Sequence, residues 1–425
     1  MSGTAKIDAI NIREALAEIP EYHRPGIGLF IDTSIAISYD DSALSSDNET
    51  DNNNIGIGTS AGENITTGSD NIGIGRSAIT GNSTSKLTGT YNTGIGYYTG
   101  LALTSGTNNS LIGTQAGQSI TTSSYNIGLG YNALLGDTGS GLTGSYNIGI
   151  GYQSGYDLNT GQYNLVIGYQ AGFNLTTGDN SNFIGRGAGS NITTGDDNIA
   201  IGTFAGNAIT TNSSCIAIGA LSLSTSTNTS AANGNTAVGY NTGSAITTGD
   251  ANTILGYSAG TTLTTGTQNT LLGYNAQVSA VGVNYEITLG DASITTLRCQ
   301  QTSITALSDK RDKTNIRDIS TGLDFINDLR PVNFQWDKRE NYEDGIRDGS
   351  KTENEIQNGF IAQEVQETIN KHAPNDLSDL ILKTNPDKLE LKQGDLLPSA
   401  IKAIQELSDQ VNQLKTELQE FKNAS

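Results

Sequence analysis

The sequence predicts a mainly β chain: a rod of short repeating coils, followed by an α+β domain that ends in a coiled coil. Three observations carry that prediction. A glycine recurs at a nearly constant interval, at positions 58, 75, 96, 113, 130, 151, 168, 185, 202, 219, 239, 256, 273 and 290. Charge is sparse in residues 51–307, which hold 4 Lys/Arg and 11 Asp/Glu, and returns abruptly in "SDKRDKTNI" from Ser308. At the far end Leu397, Ala400, Ile404, Leu407, Val411, Leu414, Leu418 and Phe421 alternate spacings of three and four, the pattern of a heptad seam.

Residues 1–50 lie outside the period. Within them Ile10, Ile12, Ala15, Leu16 and Ile19 stand at roughly helical spacing, and "GIGLFIDTSIAISY" reads as strand. A compact start that is neither signal nor repeat is expected to attach the rod to a larger assembly.

The shaft, residues 51–307, follows from the repeat. Ten of the thirteen intervals between marker glycines are 17 residues; the others are 21, 21 and 20, lengthened by inserts such as "GNSTSKLTG" and "GDTGSGLTG" that are expected to loop out. Glycine at this density excludes a helix, and each unit is expected to form two short strands joined by glycine turns. The residue before the marker is Ile, Leu or Val in all fourteen copies and is expected to face the core. The third residue after it is Ala, Ser or Thr (Ala61, Thr99, Ala188, Ser293), and the fourth is Gly in nine copies. Ile or Leu recurs seven positions after the marker, as at Ile65, Leu175 and Ile192.

Asn stands four before the marker in eleven copies, from Asn54 to Asn269, which predicts a ladder of amides hydrogen-bonded from coil to coil. A unit with two or three aliphatic side chains cannot fold alone. Stacking at the strand spacing of about 4.8 Å makes fourteen units a rod of roughly 65 Å. So little apolar surface per coil predicts that several chains share the core, with the small residues at the subunit contact.

Tyr97, Tyr131, Tyr152, Tyr169, Tyr240, Tyr257 and Tyr274 each follow a marker; they suit either packing between coils or a strip for sugar faces. "GIGIG" resembles a phosphate-cradling loop, but it recurs with the coil period and opens no amphipathic helix. The sequons at Asn64, Asn174 and Asn191 also follow the period. These repeats resemble the head repeats of trimeric autotransporter adhesins, which carry a comparable N-x-x-I-G-x-x-A run at a 14-residue rather than a 17-residue interval. The resemblance covers residues 54 to about 293 and implies a homotrimeric β-roll or β-helix.

From Ser308 the composition is that of an ordinary α+β domain, residues 308–395, containing "LDFINDLRPVNFQW" and "GFIAQEVQETI", with the heptad segment over 396–425. The heptad choices leave dimer and trimer open. "SDKRDKTNI", joined to "GFIAQEV" and a terminal heptad segment, closely resembles the endosialidase-type intramolecular chaperone domain of phage tail spikes and fibres.

In that family a trimeric C-terminal domain assists folding of the upstream fibre and then cuts itself off. The resemblance implies a scissile bond between Leu307 and Ser308, with Ser308 as nucleophile and Lys313 as its partner. A serine hydroxyl needs a base, and a desolvated lysine can serve. Asp309, Arg311 and Asn315 match the motif and are expected to order the loop; Gln363 and Glu364 match "AQE" and are expected to brace it. Alone, "SDKRDK" would read as a solvated turn.

The formal charge is −20 and no region is basic, which argues against nucleic acid and anionic lipid as partners. No run of about 18 apolar residues is present, so no membrane insertion is expected. Cys215 and Cys299 are 84 positions apart and the only histidines are His23 and His372, a set that predicts no metal site, no cofactor and no disulfide framework.

The whole is expected to be a viral, phage-type fibre or spike, assembled in a host cytoplasm and carried on the virion. Residues 1–50 would join a baseplate, tail or capsid component, and the shaft would meet a host-surface glycan or protein receptor. A bacterial surface adhesin on the same rod and a non-cleaving oligomerisation cap are the alternatives. A polysaccharide-cleaving enzyme would need paired carboxylates in a groove, which eleven scattered acids do not offer.

Overall fold

A computed structural model describes residues 35–37, 43–46, 52–81, 84–136, 141–224, 232–294, 296–298, 300, 308–343, 345–373, 377, 379–382 and 389–424. The chain divides into two compact units, residues 1–296 and 297–425.

The first unit is a parallel β-solenoid. Fifteen three-residue strands, β1 (Ile35–Ile37) and β2 (Ile55–Ile57) through to β15 (Ile287–Leu289), form one sheet in strict chain order. Each coil adds one strand directly above the last: Ile148, Gly149 and Ile150 face Leu165, Val166 and Ile167. The stack begins earlier than the marker glycine does, because β1 pairs in register with β2 and Ala43 and Leu44 join the shaft core. The helical spacing noted at Ile10–Ile19 lies outside the described residues.

Each coil carries one strand rather than two. The second segment supplies only the isolated bridges Ile65–Leu87 and Ile120–Leu142. The side of the sheet taken by the marker aliphatic is also the reverse of the expectation. In β2, β3 (Ile72–Ile74) and most later strands the middle residue is buried and its neighbours are half-exposed. The residue before the marker therefore faces outward, with Ile112 43%, Leu255 50% and Leu289 49% exposed.

Inward go the residues two before the marker, such as Leu111, Val166, Phe183 and Ala200, together with those seven after it. The small residues at the third position are interior too: Ala61, Thr99 and Ala188 are fully buried in their own coil. They are not a subunit contact, because a coil of 17 residues is too narrow to take a larger side chain there.

All three longer coils replace the glycine at the fourth position by a large residue. Ile79, Leu134 and Leu223 point into the core and adopt left-handed backbone angles of 41°, 48° and 45°, a strained choice for such side chains. A Cβ on Gly94 would stand 2.6 Å from Ile79, and one on Gly149 2.7 Å from Leu134. The strand glycines thus make room for the side chains that the longer coils push inward. The marker glycine itself is required twice over. Gly151 has φ 130°, and a Cβ there would meet the carbonyl oxygen of Gly168 in the next coil at 2.5 Å.

The amide ladder forms as the repeat predicts. Asn164 Nδ2 donates to Asn147 Oδ1 at 3.1 Å and to Gly178 O at 2.8 Å, while its own Oδ1 accepts from Ser181 N at 2.9 Å. Buried polar groups are thereby satisfied from one coil to the next. Cys215 occupies a ladder position in place of Asn, and burial pushes its thiol pKa up; it is an inert filler. Cys299 lies outside the described residues. The sequon side chains are ladder chemistry as well: Asn174 donates to Ser190 O and Asn191 to Asn207 O.

The second unit is a small α/β fold. Helix α1 (Leu323–Asp328) leads into β16 (Val332–Phe334), which pairs antiparallel with β17 (Gln357–Gly359). Helix α2 (Ala362–His372) and the short pair β18 (Ile381–Leu382) with β19 (Glu390–Leu391) follow. A 28-residue helix, α3 (Leu397–Ala424), ends the chain. Phe325, Val365, Ile369, Leu380, Ile381 and Leu396 form the core.

One face of α3 docks on this unit. Ser399 Oγ and Thr321 Oγ1 share a buried hydrogen bond of 2.7 Å, and Glu406 Oε2 accepts from Leu323 N at 2.6 Å. The carboxylate there satisfies an N–H that the first turn of α1 leaves without a helical partner. The heptad face stays bare: Ile404 is 67% exposed and Leu414 62%.

Candidate functional site

The loop at Ser308 is organised by a five-residue closure. Asp309 caps a 3₁₀ turn over Lys310–Asp312, its carboxylate accepting from Arg311 N at 2.8 Å. The Arg311 guanidinium closes on the same carboxylate, with Nη2–Oδ2 at 2.6 Å, and holds the Asp309 carboxyl below its usual pKa. Lys313 N–H returns to Lys310 O. One tight turn therefore brings the side chain five residues on back to the start, and Lys313 Nζ donates to Ser308 Oγ at 2.6 Å. Asn315 then takes φ 53°, a left-handed angle that Asn tolerates better than most residues.

These positions lie side by side as the motif implies: Ser308 with Lys313, and Asp309 with Arg311. Every residue from 308 to 320 is exposed. Leu307, the other side of the expected scissile bond, lies outside the described residues.

Gln363 and Glu364 open α2 elsewhere. Gln363 is exposed, and Glu364 is gripped by both arms of Arg330, which holds its carboxyl below the usual value. The pair anchors the start of α2 to the segment after α1. Arg330 carries no signal in the sequence, because its partner is 34 residues away. Further along, Asp328 receives Lys371 Nζ and lies 2.6 Å from His372 Nε2, and both contacts depress its pKa.

The match begins at the serine. Residues 308–373 fit the family model described as chaperone of endosialidase. No curated protein and no solved structure matches the chain. The chaperone-type domain thus starts at the residue whose hydroxyl meets Lys313, immediately beyond the low-charge stretch.

The shaft offers a second candidate surface. The tyrosines after the marker stack with centroids 5.1–5.3 Å apart along Tyr131, Tyr152 and Tyr169, and 5.1–5.6 Å along Tyr240, Tyr257 and Tyr274. A further column, not among the positions singled out from the sequence, runs five before the marker, where Tyr125, Tyr146 and Tyr163 stack at 4.9 Å and nearly parallel. The recurring "YN" ahead of the strand is its signal. Among the described residues no three His, Cys, Asp or Glu converge as a metal site would need, and no helix is long and apolar enough to cross a membrane.

Proposed function

We propose that this chain is a structural and adhesive fibre or spike protein of a phage-type virion, trimerised by its C-terminal domain, which then releases itself by cutting between Leu307 and Ser308. The observation that carries the reading is the 2.6 Å Lys313 Nζ–Ser308 Oγ contact at the first residue of a chaperone-type domain.

Because the nucleophile belongs to the residue that supplies the nitrogen of the broken bond, the chemistry is an N-to-O acyl shift followed by hydrolysis. Ser308 Oγ gives its proton to Lys313 and attacks the Leu307 carbonyl carbon; the C–N bond breaks as the amine of Ser308 takes the proton. Water then splits the ester, leaving the Leu307 carboxylate and regenerating the hydroxyl. A lysine accepts a proton only when water is excluded around it. Ser308 and Lys313 are exposed in the single chain, so packing of neighbouring chains over the loop would switch the cut on after assembly.

In this reading residues 1–50, of which Ile35–Ile37, Ala43 and Leu44 already belong to the shaft stack, attach the fibre to a virion component, and the exposed tyrosine columns are the natural place for a host-surface glycan to stack. Mass spectrometry of the purified protein is the test. Fragments of 307 and 118 residues (425 − 307) are expected, with Ser308→Ala and Lys313→Ala staying full length. An intact wild type with a correctly assembled shaft would make the domain a non-cleaving cap.

A further inference from the structure

We infer that the outward face of the solenoid sheet is the surface on which shafts of this chain pack together, parallel and in register, each shaft keeping its own complete core. The inference rests on the fibre reading above and assigns it a contact surface.

The position before the marker glycine is aliphatic in all fourteen coils, yet in the single chain it lies on the outer side of the sheet, with Ile112 and Leu255 43% and 50% exposed. The position two residues earlier, on the same face, is Ile or Leu in eight coils, including Ile72, Ile148, Leu165 and Ile199. An interior packed with Gly, Ala, Phe and Leu has no need of these side chains. Their regular placement calls for an apolar partner outside.

The extent of the face fits such a partner. Fourteen three-residue strands, spaced about 4.8 Å apart and each about 10 Å long, make a face of roughly 650 Å². A lone soluble chain exposes contiguous apolar patches of a few hundred Å², and a stable interface covers about 800 Å² per partner. Two such faces together give roughly 1,300 Å², within the range of about 1,200–2,000 Å² that a specific interface buries.

Register is set by the polar interruptions in the outer column. Asn182 stands where Ile or Leu is commoner, and among the described residues its amide makes no side-chain hydrogen bond; the same holds for the hydroxyls of Thr93, Ser110 and Thr270. Parallel, in-register copies bring each of these against itself, so that Asn182 meets Asn182, whereas a slip of one or two coils sets its amide against Leu165 and Ile199 or against Ile148 and Ile216 and leaves it unpaired. No charged residue occupies either column.

Single-cysteine cross-linking in the full-length chain tests this, with Cys299→Ser removing the second native thiol and Cys215 left buried. Ile74→Cys lies on the outer face near the amino end of the stack; Thr67→Cys is an exposed control in the turn region of the preceding coil. Oligomer mass is read by native mass spectrometry, and links are read after a short bis-maleimide. The expected result is an oligomer in which the Ile74→Cys variant joins most of its chains through position 74, while the Thr67→Cys variant joins few. An oligomer linked through position 67 and not through position 74 would overturn the assignment of the face while leaving the fibre reading intact. A monomer with a protease-resistant shaft would overturn both.

Discussion

Phe183 in the shaft and Phe325 in the C-terminal unit are both buried aromatic rings, but they are enclosed by different kinds of neighbour. Phe183 meets its own coil and those next to it: a Cβ on Gly172 or Gly189 would touch its ring. Phe325 is packed by residues 40 to 71 positions further on, including Val365, Ile369, Leu380 and Leu396. The shaft is a stack of local closures, whereas the C-terminal unit is one long-range closure. Each unit is complete inside and unfinished outside, the shaft along its aliphatic rows and the second unit along the α3 seam and the 308–320 loop. A chain with a self-sufficient interior has only its exterior to offer a partner.

Paired truncation tests that contrast most strongly. Phe183→Ala and Phe325→Ala should each cost about 3–5 kcal/mol, the usual range for emptying a buried aromatic site. Hydrogen exchange should separate them. The shaft variant is expected to lose protection only in the coils flanking β9 (Asn182–Ile184), as nearest-neighbour stacking requires. The second variant should lose it across α1, α2 and the base of α3 together, and equal spread in both would remove the distinction.

The amide ladder should give the next effect. Asn164→Ala leaves Gly178 O and Ser181 N without their side-chain partner in a buried site, a loss of about 1–3 kcal/mol. Chemical denaturation should report it, with the shaft transition moving and that of the second unit unchanged.

The smallest effect is in pH. Asp328 has its carboxyl pKa depressed by Lys371 and His372. Its contribution is therefore present above the unfolded value of about 3.9 and is lost as pH falls through the lower folded value. Asp328→Asn should flatten the acid side of the second unit's stability profile and leave the shaft's unaltered, with wild type and variant converging at the lowest pH.

Much of this architecture was legible in the sequence. The coil period and the Asn ladder need only stacking of identical units, and Ser308 and Lys313 are close enough in sequence for one turn to join them. The direction of the marker aliphatics was not legible. A strand reading Ile-Gly-Ile suggests that the isoleucines seek a core, and only the narrowness of a 17-residue coil turns the glycine inward. The Arg330–Glu364 clamp and the capping of α1 by Glu406 were hidden too, because each depends on how separate elements pack.

The ladder hydrogen bonds and the strand pairing both run from coil to coil, along the direction in which the shaft extends. Tension applied between its two ends pulls on those bonds along their own length and frees the terminal coil first. Each release adds about 17 residues of extended chain at ~3.4 Å apiece in place of one ~4.8 Å step, a gain of roughly 50 Å. Under load such a shaft is expected to lengthen coil by coil from an end, with larger steps at the three longer coils, rather than snapping across the middle.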